Sequence, residues 1–240
     1  MKPRNSTPKK NSTLVYLLHL ETATAVCSVS LSGEGKPLGV KVIQDGFRHA
    51  ENLMFLVNEL LTEQALQYAD LQGVVVSNGP GSYTGLRIGL STAKGICYAL
   101  EIPLITLGTL DIMAAGFISS FPEFKGYIVP MIDARRMEVY TAVYDHQNQK
   151  LTSDFPCILD AESYHEFSNQ EIAFFGDGAA KYQAACPYST ARFDLQPNWS
   201  AEHMIELAYS KFQQKDFADL AYSEPDYLKP FFTTAKPVEE

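Results

Sequence analysis

The apolar residues of the first half fall into short runs and amphipathic stretches that alternate along the chain. Three runs joined by tight turns, Leu14–Leu20, Ala25–Leu31 and Leu38–Gln44, predict an antiparallel meander. From His49 onward, apolar residues recur at the spacing of one helix face. The pattern then predicts a strand at Leu71–Ser77, a helix at Gly85–Leu100, a strand at Ile102–Leu107 and a helix at Thr109–Ser119.

The second half repeats this plan from Tyr127 onward. It opens on strands at Tyr127–Ile132 and Glu138–Tyr144, and its strand at Ile172–Phe175 ends in a glycine loop, as Leu71–Ser77 does. Each half carries an acidic residue, Glu21 or Asp133, in the corner after its first strand. The other predicted elements are a strand within Leu151–Leu159 and helices at Glu162–Phe167, after Gly178 up to about Ala185, and at Ser200–Gln213.

This repetition predicts an α/β protein with a duplicated actin-like fold (ASKHA, ribonuclease H-like) of two mixed-sheet halves. We place the halves at residues 14–122 and 123–223, with a boundary near Ser120–Lys125. The basic, polar residues 1–13 predict a disordered tail. The proline-rich residues 224–240 predict an irregular one.

Composition and charge narrow the function classes. A share of 46% apolar residues is enough for a sizeable core, and a net charge of -9 argues against gripping tRNA or DNA unaided. The four cysteines are widely spaced, which is typical of a reducing compartment. No apolar stretch is long enough to cross a membrane or to form a signal peptide, so we expect a cytoplasmic protein.

Metal and nucleophile motifs are absent from the sequence. No two of the five histidines stand within five residues of each other, so a helical zinc pair is missing and we expect no metal site. Ser82 follows a strand, as a hydrolase serine would, but its context is G-S-Y-T-G rather than G-x-S-x-G. Ser82 is better explained as a helix cap, and we expect no catalytic residue.

Phosphate binding is a closer alternative. A strand, Gly79-Pro80-Gly81 and a helix have the general build of a phosphate loop, although the Walker and Rossmann spacings both fail. An actin-like site also needs two phosphate corners, and neither the corner at Glu21 nor the one at Asp133 contains the usual glycine. Gly176 and Gly178 resemble the adenosine-side loop of that superfamily. The candidate residues for a vestigial nucleotide site are therefore Glu21, Asp133, Gly176 and Gly178.

The helix at Gly85–Leu100 has one face of small residues. Gly85, Gly89 and Ala93 are spaced four apart, and glycine inside a helix costs about 1 kcal/mol relative to alanine. This cost indicates close approach by another backbone, which is either a partner's helix or the chain's own sheet. Met54 and Phe55 give the preceding helix apolar surface off its main stripe, which favours a partner. The predicted partner surface comprises Leu53, Leu56, Ser82, Gly85, Leu86, Gly89, Leu90 and Ala93.

The chain resembles the bacterial TsaB (YeaZ) family along nearly its whole length, from Leu14 to Pro230. The supporting segments are HLETATAVCSVSL, HAENLMFLVNELL, VVVSNGPGSYTGLRIGLSTAKGICYAL, IDARRMEVYTAVY, FFGDGAAKY and EPDYLKPF. The resemblance implies a non-catalytic paralogue of TsaD, the enzyme that adds threonylcarbamoyl to the adenosine beside the tRNA anticodon. It implies pairing with a TsaD-like subunit through the first two long helices, recruitment of a TsaE-like ATPase, and homodimerisation when isolated.

The main hypothesis is therefore a scaffold or activator subunit that holds no cofactor, with ATP and metal in its partner subunits and tRNA reached only through the complex. Gly89→Leu is then expected to block pairing while leaving the fold mostly intact. Two alternatives stay open: an actin-like ATP-binding enzyme, which titration with ATP would reveal, and a glycoprotease-type metallopeptidase, which would contain stoichiometric zinc.

Overall fold

The computed structural model describes residues 14–43 and 49–229, and the side chains of 49–51 are not described. The predicted tail at 1–13 and residues 230–240 of the second tail lie outside this range. Residues 224–229 contain no helix or strand. No helix in the described part of the chain combines the length and apolarity needed to cross a membrane.

The first half forms a five-stranded mixed sheet with strand order β3-β2-β1-β4-β5. β1, β2 and β3 form an antiparallel meander, and β4 and β5 continue it in parallel with β1. Along the chain the elements are β1 (Tyr16–Glu21), β2 (Cys27–Gly33), β3 (Lys36–Ile43), α1 (His49–Glu63), a 3-10 turn (Tyr68–Asp70), β4 (Gly73–Ser77), α2 (Tyr83–Leu100), β5 (Leu104–Leu107) and α3 (Thr109–Ser120).

The second half forms another five-stranded mixed sheet, with strand order β10-β9-β6-β7-β8. Its first three strands are again antiparallel neighbours, and β9 and β10 again run parallel to the first strand. The elements are β6 (Tyr127–Asp133), β7 (Glu138–Thr141), β8 (Phe155–Ile158), a 3-10 turn (His165–Phe167), β9 (Ile172–Phe175), α4 (Ala179–Gln183), β10 (Ala191–Arg192), a 3-10 turn (Ala201–Met204) and α5 (Ile205–Gln214).

The two sheets share one topology. Numbered from its own first strand, each has the order 3-2-1-4-5, with an antiparallel meander followed by parallel strands. The prediction of two mixed-sheet α/β halves is therefore confirmed. The short β10, only Ala191–Arg192, was not predicted because two residues carry no periodicity.

The structure divides the chain differently from the predicted boundaries. One compact unit contains residues up to Ile112 together with Trp199–Glu224, and the other contains Met113–Asn198 and the residues from Pro225 onward. The return of Trp199–Glu224 has a physical cause: Met204 and Ala208 pack in the same buried cluster as Leu17. The helix predicted at Ser200–Gln213 thus belongs to the first unit and is a 3-10 turn followed by α5. Ser200 caps the 3-10 turn by accepting from the Glu202 N–H at 3.3 Å.

Two serines of β2 bind the segment Trp199–Glu224 to the sheet of the first unit. The Ala201 N–H donates to Ser28 Oγ at 2.8 Å, and Ser30 Oγ donates to the Ala201 carbonyl, also at 2.8 Å. All three residues are buried. Because water cannot replace a lost partner there, each bond contributes more to stability than an exposed one.

Ser28→Ala is expected to lower the free energy of unfolding by about 1–3 kcal/mol, because it leaves the Ala201 N–H buried without a partner. Urea unfolding monitored by circular dichroism measures this loss. Ser91→Ala, on an exposed position of α2, is the matched control and should change stability by less than about 0.5 kcal/mol. Equal stabilities of the two variants would contradict the anchoring role of Ser28.

Candidate functional site

The loop between β4 and α2 is closed onto the corner that follows β1. The Ser82 N–H donates to the Ala23 carbonyl at 2.6 Å, and Ser82 Oγ accepts from the Gly85 N–H at 3.2 Å. Ser82 is the N-cap of α2, which confirms the capping interpretation. Its hydroxyl is engaged in holding the helix start.

The small-residue face of α2 packs against the same corner. A Cβ atom on Gly85 would clash with the Thr22 carbonyl oxygen, and one on Gly89 would clash with Thr22 Oγ1. The Thr22 hydroxyl also donates to the Gly85 carbonyl at 2.8 Å. A Cβ on Gly81 would lie 2.9 Å from Ala23 Cβ. The glycines therefore allow close packing of α2 on the chain's own sheet, one of the two explanations that the sequence left open.

This packing corrects the predicted partner surface. Only Ser82 of the eight residues is exposed; the chain itself buries the other seven, which are Leu53, Leu56, Gly85, Leu86, Gly89, Leu90 and Ala93. These seven residues therefore leave little or no surface for a partner to contact. The expectation that Gly89→Leu leaves the fold intact is also wrong, because a leucine there has no space beside Thr22.

The outer sides of α1 and α2 carry exposed apolar groups instead. Met54 is 38% exposed, Phe55 64% and Tyr98 81%, and a Cβ on Gly95 would meet no atom within 4 Å. The two helices contact each other. We call these four residues the outer face of α1 and α2. Exposed aromatic and methionine side chains of this kind are typical of protein interfaces.

Beneath the corner, β1 buries two titratable side chains. His19 and Glu21 are fully buried, and Glu21 Oε1 accepts from the Ala23 N–H at 2.7 Å. Burial raises the pKa of the Glu21 carboxyl from 4.5 to about 7, although hydrogen bonds from Ala23 and Ser77 oppose it. Burial lowers the pKa of the His19 imidazole from 6.5 to about 3. His19 Nε2 lies 2.9 Å from Ser32 Oγ.

These two groups should give opposing pH dependences. Between pH 4.5 and 7 the folded state holds the Glu21 proton that the unfolded state has lost, so stability falls as pH rises, by up to about 1.4 kcal/mol per unit. Between pH 3 and 6.5 the unfolded state holds the extra proton on His19, so stability rises with pH. The two effects offset each other between pH 4.5 and 6.5.

Glu21→Gln is therefore expected to uncover the His19 effect, giving stability that rises from pH 4.5 to 6.5. His19→Gln is expected to uncover the Glu21 effect, with stability falling over the same interval. Urea unfolding of both variants at a series of pH values measures the slopes. Two variants that keep the wild-type profile would contradict the burial of these groups.

The second unit brings its own predicted residues together. Asp133 Oδ1 accepts from Lys181 Nζ at 2.7 Å and from the Arg135 N–H at 2.6 Å. Burial opposes ionisation of Asp133, but these two donors outweigh it and hold its pKa below the usual range. Gly176 has φ +98°, and a Cβ on it would clash with the backbone of β6. A Cβ on Gly178 would lie 2.6 Å from Val139 Cγ1.

Packing thus explains why Gly176 and Gly178 are glycines, without a nucleotide. Glu21 lies in the first unit, and Asp133, Gly176 and Gly178 lie in the second. Their role as vestigial nucleotide residues stays a prediction. Among residues 14–43 and 49–229, no three His, Cys, Asp or Glu side chains are grouped so that they could hold a metal ion.

Comparison with known proteins assigns the family. The model of the family described as "TsaD: tRNA N6-adenosine threonylcarbamoyltransferase" matches residues 46–233. The chain belongs to the TsaD family. Within it, the chain is 28% identical to the tRNA threonylcarbamoyladenosine biosynthesis protein TsaB of Bacillus subtilis, over 93% of this chain and 98% of that protein. It is also 28% identical to TsaB of Escherichia coli, over 89% and 94%.

Two solved structures with similar folds also belong to YeaZ or to a protein described as similar to it. YeaZ from Pseudomonas aeruginosa is 26% identical with a TM-score of 0.73, over 89% of this chain and 100% of that one. A second Pseudomonas aeruginosa structure, of an uncharacterized protein similar to peptidase YEAZ, is 26% identical with a TM-score of 0.75, over 90% and 100%. The predicted resemblance of this TsaD-family chain to TsaB (YeaZ) is confirmed.

Sequence reasoning missed part of the outer face in this TsaD-family chain. Met54 and Phe55 were noticed because they lie off the apolar stripe of α1, but Gly95 and Tyr98 were not. A signal was present, since Gly95 and Tyr98 lie away from the small-residue face of α2. At 3.6 residues per turn, Tyr98 lies two and a half turns after Gly89 and so opposite it, and Gly95 lies about 120° around the helix from Gly89.

Proposed function

We propose that this chain is the TsaB-type subunit of tRNA threonylcarbamoyladenosine biosynthesis, and that it works as a scaffold or activator rather than as a catalyst. The main support for this proposal is the similarity of the chain, over about nine-tenths of its length or more, to proteins named TsaB. In this proposal a TsaD-type subunit performs the transfer, a TsaE-type ATPase joins them, and ATP and metal are held by those partners. The complex acts in the cytoplasm.

The packing of the first unit supports a non-catalytic role. An actin-like phosphate corner needs backbone space after β1, but Gly85 and Gly89 of α2 bring their own backbone against Thr22. The Ser82 hydroxyl, which the sequence offered as a nucleophile candidate, caps the helix. The corner is thus built for internal packing.

The outer face of α1 and α2 is the proposed partner surface. It combines an exposed phenylalanine, methionine and tyrosine with Gly95, where a partner helix can approach closely. A second copy of this chain would use the same face, so homodimer and heterodimer compete. Burying the face in the pair would remove its apolar surface from water.

Reconstitution tests the proposal. Purified TsaD-type and TsaE-type subunits from the same organism are incubated with unmodified tRNA, ATP and an activated threonylcarbamoyl donor, with and without this chain. Mass spectrometry of digested tRNA should find the modified adenosine only when the chain is present, and none with the chain alone. Equal modification without the chain, or modification by the chain alone, would contradict the proposal.

A further inference from the structure

The turn between β6 and β7 has an unusual backbone at two arginines. Arg135 has φ +68° and Arg136 has φ +50°, so both lie in the left-handed region that disfavours residues with a Cβ. Tight hairpin turns with two successive positive φ values are normally made of Gly, Asn or Asp. The backbone conformation of the turn therefore does not explain why arginine stands at both positions.

Hydrogen bonds from neighbouring residues hold this turn in place. The Ala134 N–H donates to the Glu138 carbonyl at 3.1 Å and the Arg135 N–H donates to Asp133 Oδ1 at 2.6 Å. Lys181 Nζ, from α4, donates to Asp133 Oδ1 at 2.7 Å and to the Glu138 carbonyl at 3.3 Å. These hydrogen bonds hold the backbone from which the side chains of Arg135 and Arg136 extend.

Neither arginine side chain is used by the fold. Both residues are exposed, and among residues 14–43 and 49–229 neither guanidinium group has a hydrogen-bond or ion-pair partner. Most other cations in this part of the chain are engaged. Those in ion pairs are Lys41, Lys150, Lys181, Arg192, Lys211 and Lys229, whereas Lys94 and Lys125 bind backbone carbonyls and Arg87 lies over Tyr83.

Two neighbouring guanidinium groups without partners in the fold are well suited to bind phosphate groups. The planar fork of arginine binds phosphate oxygens with two parallel hydrogen bonds, and a rigid mount lowers the entropy lost on binding. We infer that Arg135 and Arg136 contact backbone phosphates of the tRNA while the chain is in its complex. This inference rests on the proposed function, which supplies the RNA.

The net charge of -9 limits where this contact operates. An acidic chain repels RNA at long range, so two arginines cannot recruit tRNA alone. Once a TsaD-type partner holds the tRNA, each phosphate contact adds affinity and releases a counterion. The turn then fixes the position of the RNA without reading its sequence.

The test compares two double variants in the complex with the TsaD-type subunit. Arg135→Gln/Arg136→Gln removes the pair. Lys36→Gln/Lys215→Gln removes the same charge from exposed positions of the first unit, and Lys215 also has a positive φ, of 58°. Fluorescence anisotropy with unmodified tRNA at several salt concentrations gives the affinity and its salt slope.

The arginine variant is expected to bind tRNA on the order of tenfold more weakly near 0.1 M salt, with a slope of log K against log salt smaller by about 1–2. The lysine variant should match the wild type. Arg135→Gly/Arg136→Gly should lose the same affinity while melting at or above the wild-type temperature, because glycine accepts positive φ. The melting temperature of the glycine variant therefore separates a loss of tRNA binding from a loss of folding.

Three results would overturn the inference. These are unchanged affinity and slope in the arginine variant, equal losses in the lysine variant, or weakened assembly with the TsaD-type subunit at unchanged tRNA affinity. The last result would assign the turn to carboxylates of a protein partner. A wild-type complex that assembles but neither binds nor modifies tRNA would instead contradict the proposed function itself.

Discussion

Gly85→Ala is expected to destabilise the first unit by about 3 kcal/mol, although alanine normally favours a helix. The added Cβ would clash with the Thr22 carbonyl oxygen, which is backbone and cannot rotate away as a side chain can. Relieving the clash separates α2 from the corner after β1, and the 2.8 Å hydrogen bond from Thr22 Oγ1 to the Gly85 carbonyl is lost with it. Urea unfolding followed by far-UV circular dichroism measures the difference.

Gly95→Ala is the matched control on the same helix. No atom lies within 4 Å of the added Cβ, so only helix propensity changes and stability should rise by about 0.5–1 kcal/mol. The two substitutions are chemically identical and should have opposite signs. If Gly85→Ala were as stable as Gly95→Ala, the close packing of α2 on Thr22 would be disproved.

Phe55→Asp is expected to weaken pairing with the TsaD-type subunit by about 2 kcal/mol or more, which is roughly 30-fold in Kd. The ring of Phe55 is 64% exposed in the isolated chain and is the large aromatic group on the outer face of α1. Binding would bury a carboxylate at that position without a partner, which is costly. Isothermal titration calorimetry measures Kd, and thermal unfolding should show a nearly unchanged fold.

Ile158→Asp provides the matched control for this effect. Ile158 is 73% exposed on the edge strand β8 of the second unit, so the same change from apolar to charged is made on neither α1 nor α2. Its Kd should stay within about threefold of the wild type, a change of less than about 0.7 kcal/mol. Equal weakening by both variants would mean that added negative charge, rather than the outer face, controls pairing.

Local periodicity was sufficient to predict most elements of the fold. The helix α1 buries one face, so its apolar residues repeat every 3.6 positions and reveal it. The strands β1 and β2 are buried along nearly their whole length, and short apolar runs between tight turns revealed them instead. Repetition of that pattern in the second half then predicted the duplicated fold. Where an element lacked such a face, as in the two-residue β10, the sequence held no signal.

Contacts between distant segments could not be predicted in this way. The bonds that join Ala201 to Ser28 and Ser30 span 173 and 171 residues, and no local pattern marks them. The predicted boundary at 122/123 therefore left Trp199–Glu224 in the second half. Predicting their placement requires knowing which buried backbone groups seek partners on β2.

The candidate site shows the same limit. Spacing of four residues identified the small face of α2, but it does not say which surface lies opposite. That surface is Thr22, which lies 63 residues before Gly85 and carries no distinguishing motif. The side of α2 that carries Gly95 and Tyr98 follows once the packed side is known, because a helix buried on one face presents the opposite one.

Hydrogen–deuterium exchange tests most directly whether the outer face joins this chain to a TsaD-type subunit. Exchange is compared between the chain alone, diluted until monomeric, and the chain saturated with that subunit. We predict new protection in the peptides that contain Phe55 of α1 and Tyr98 of α2, with little change in β8. Protection confined to the second unit, or no protection anywhere despite saturation, would contradict the account.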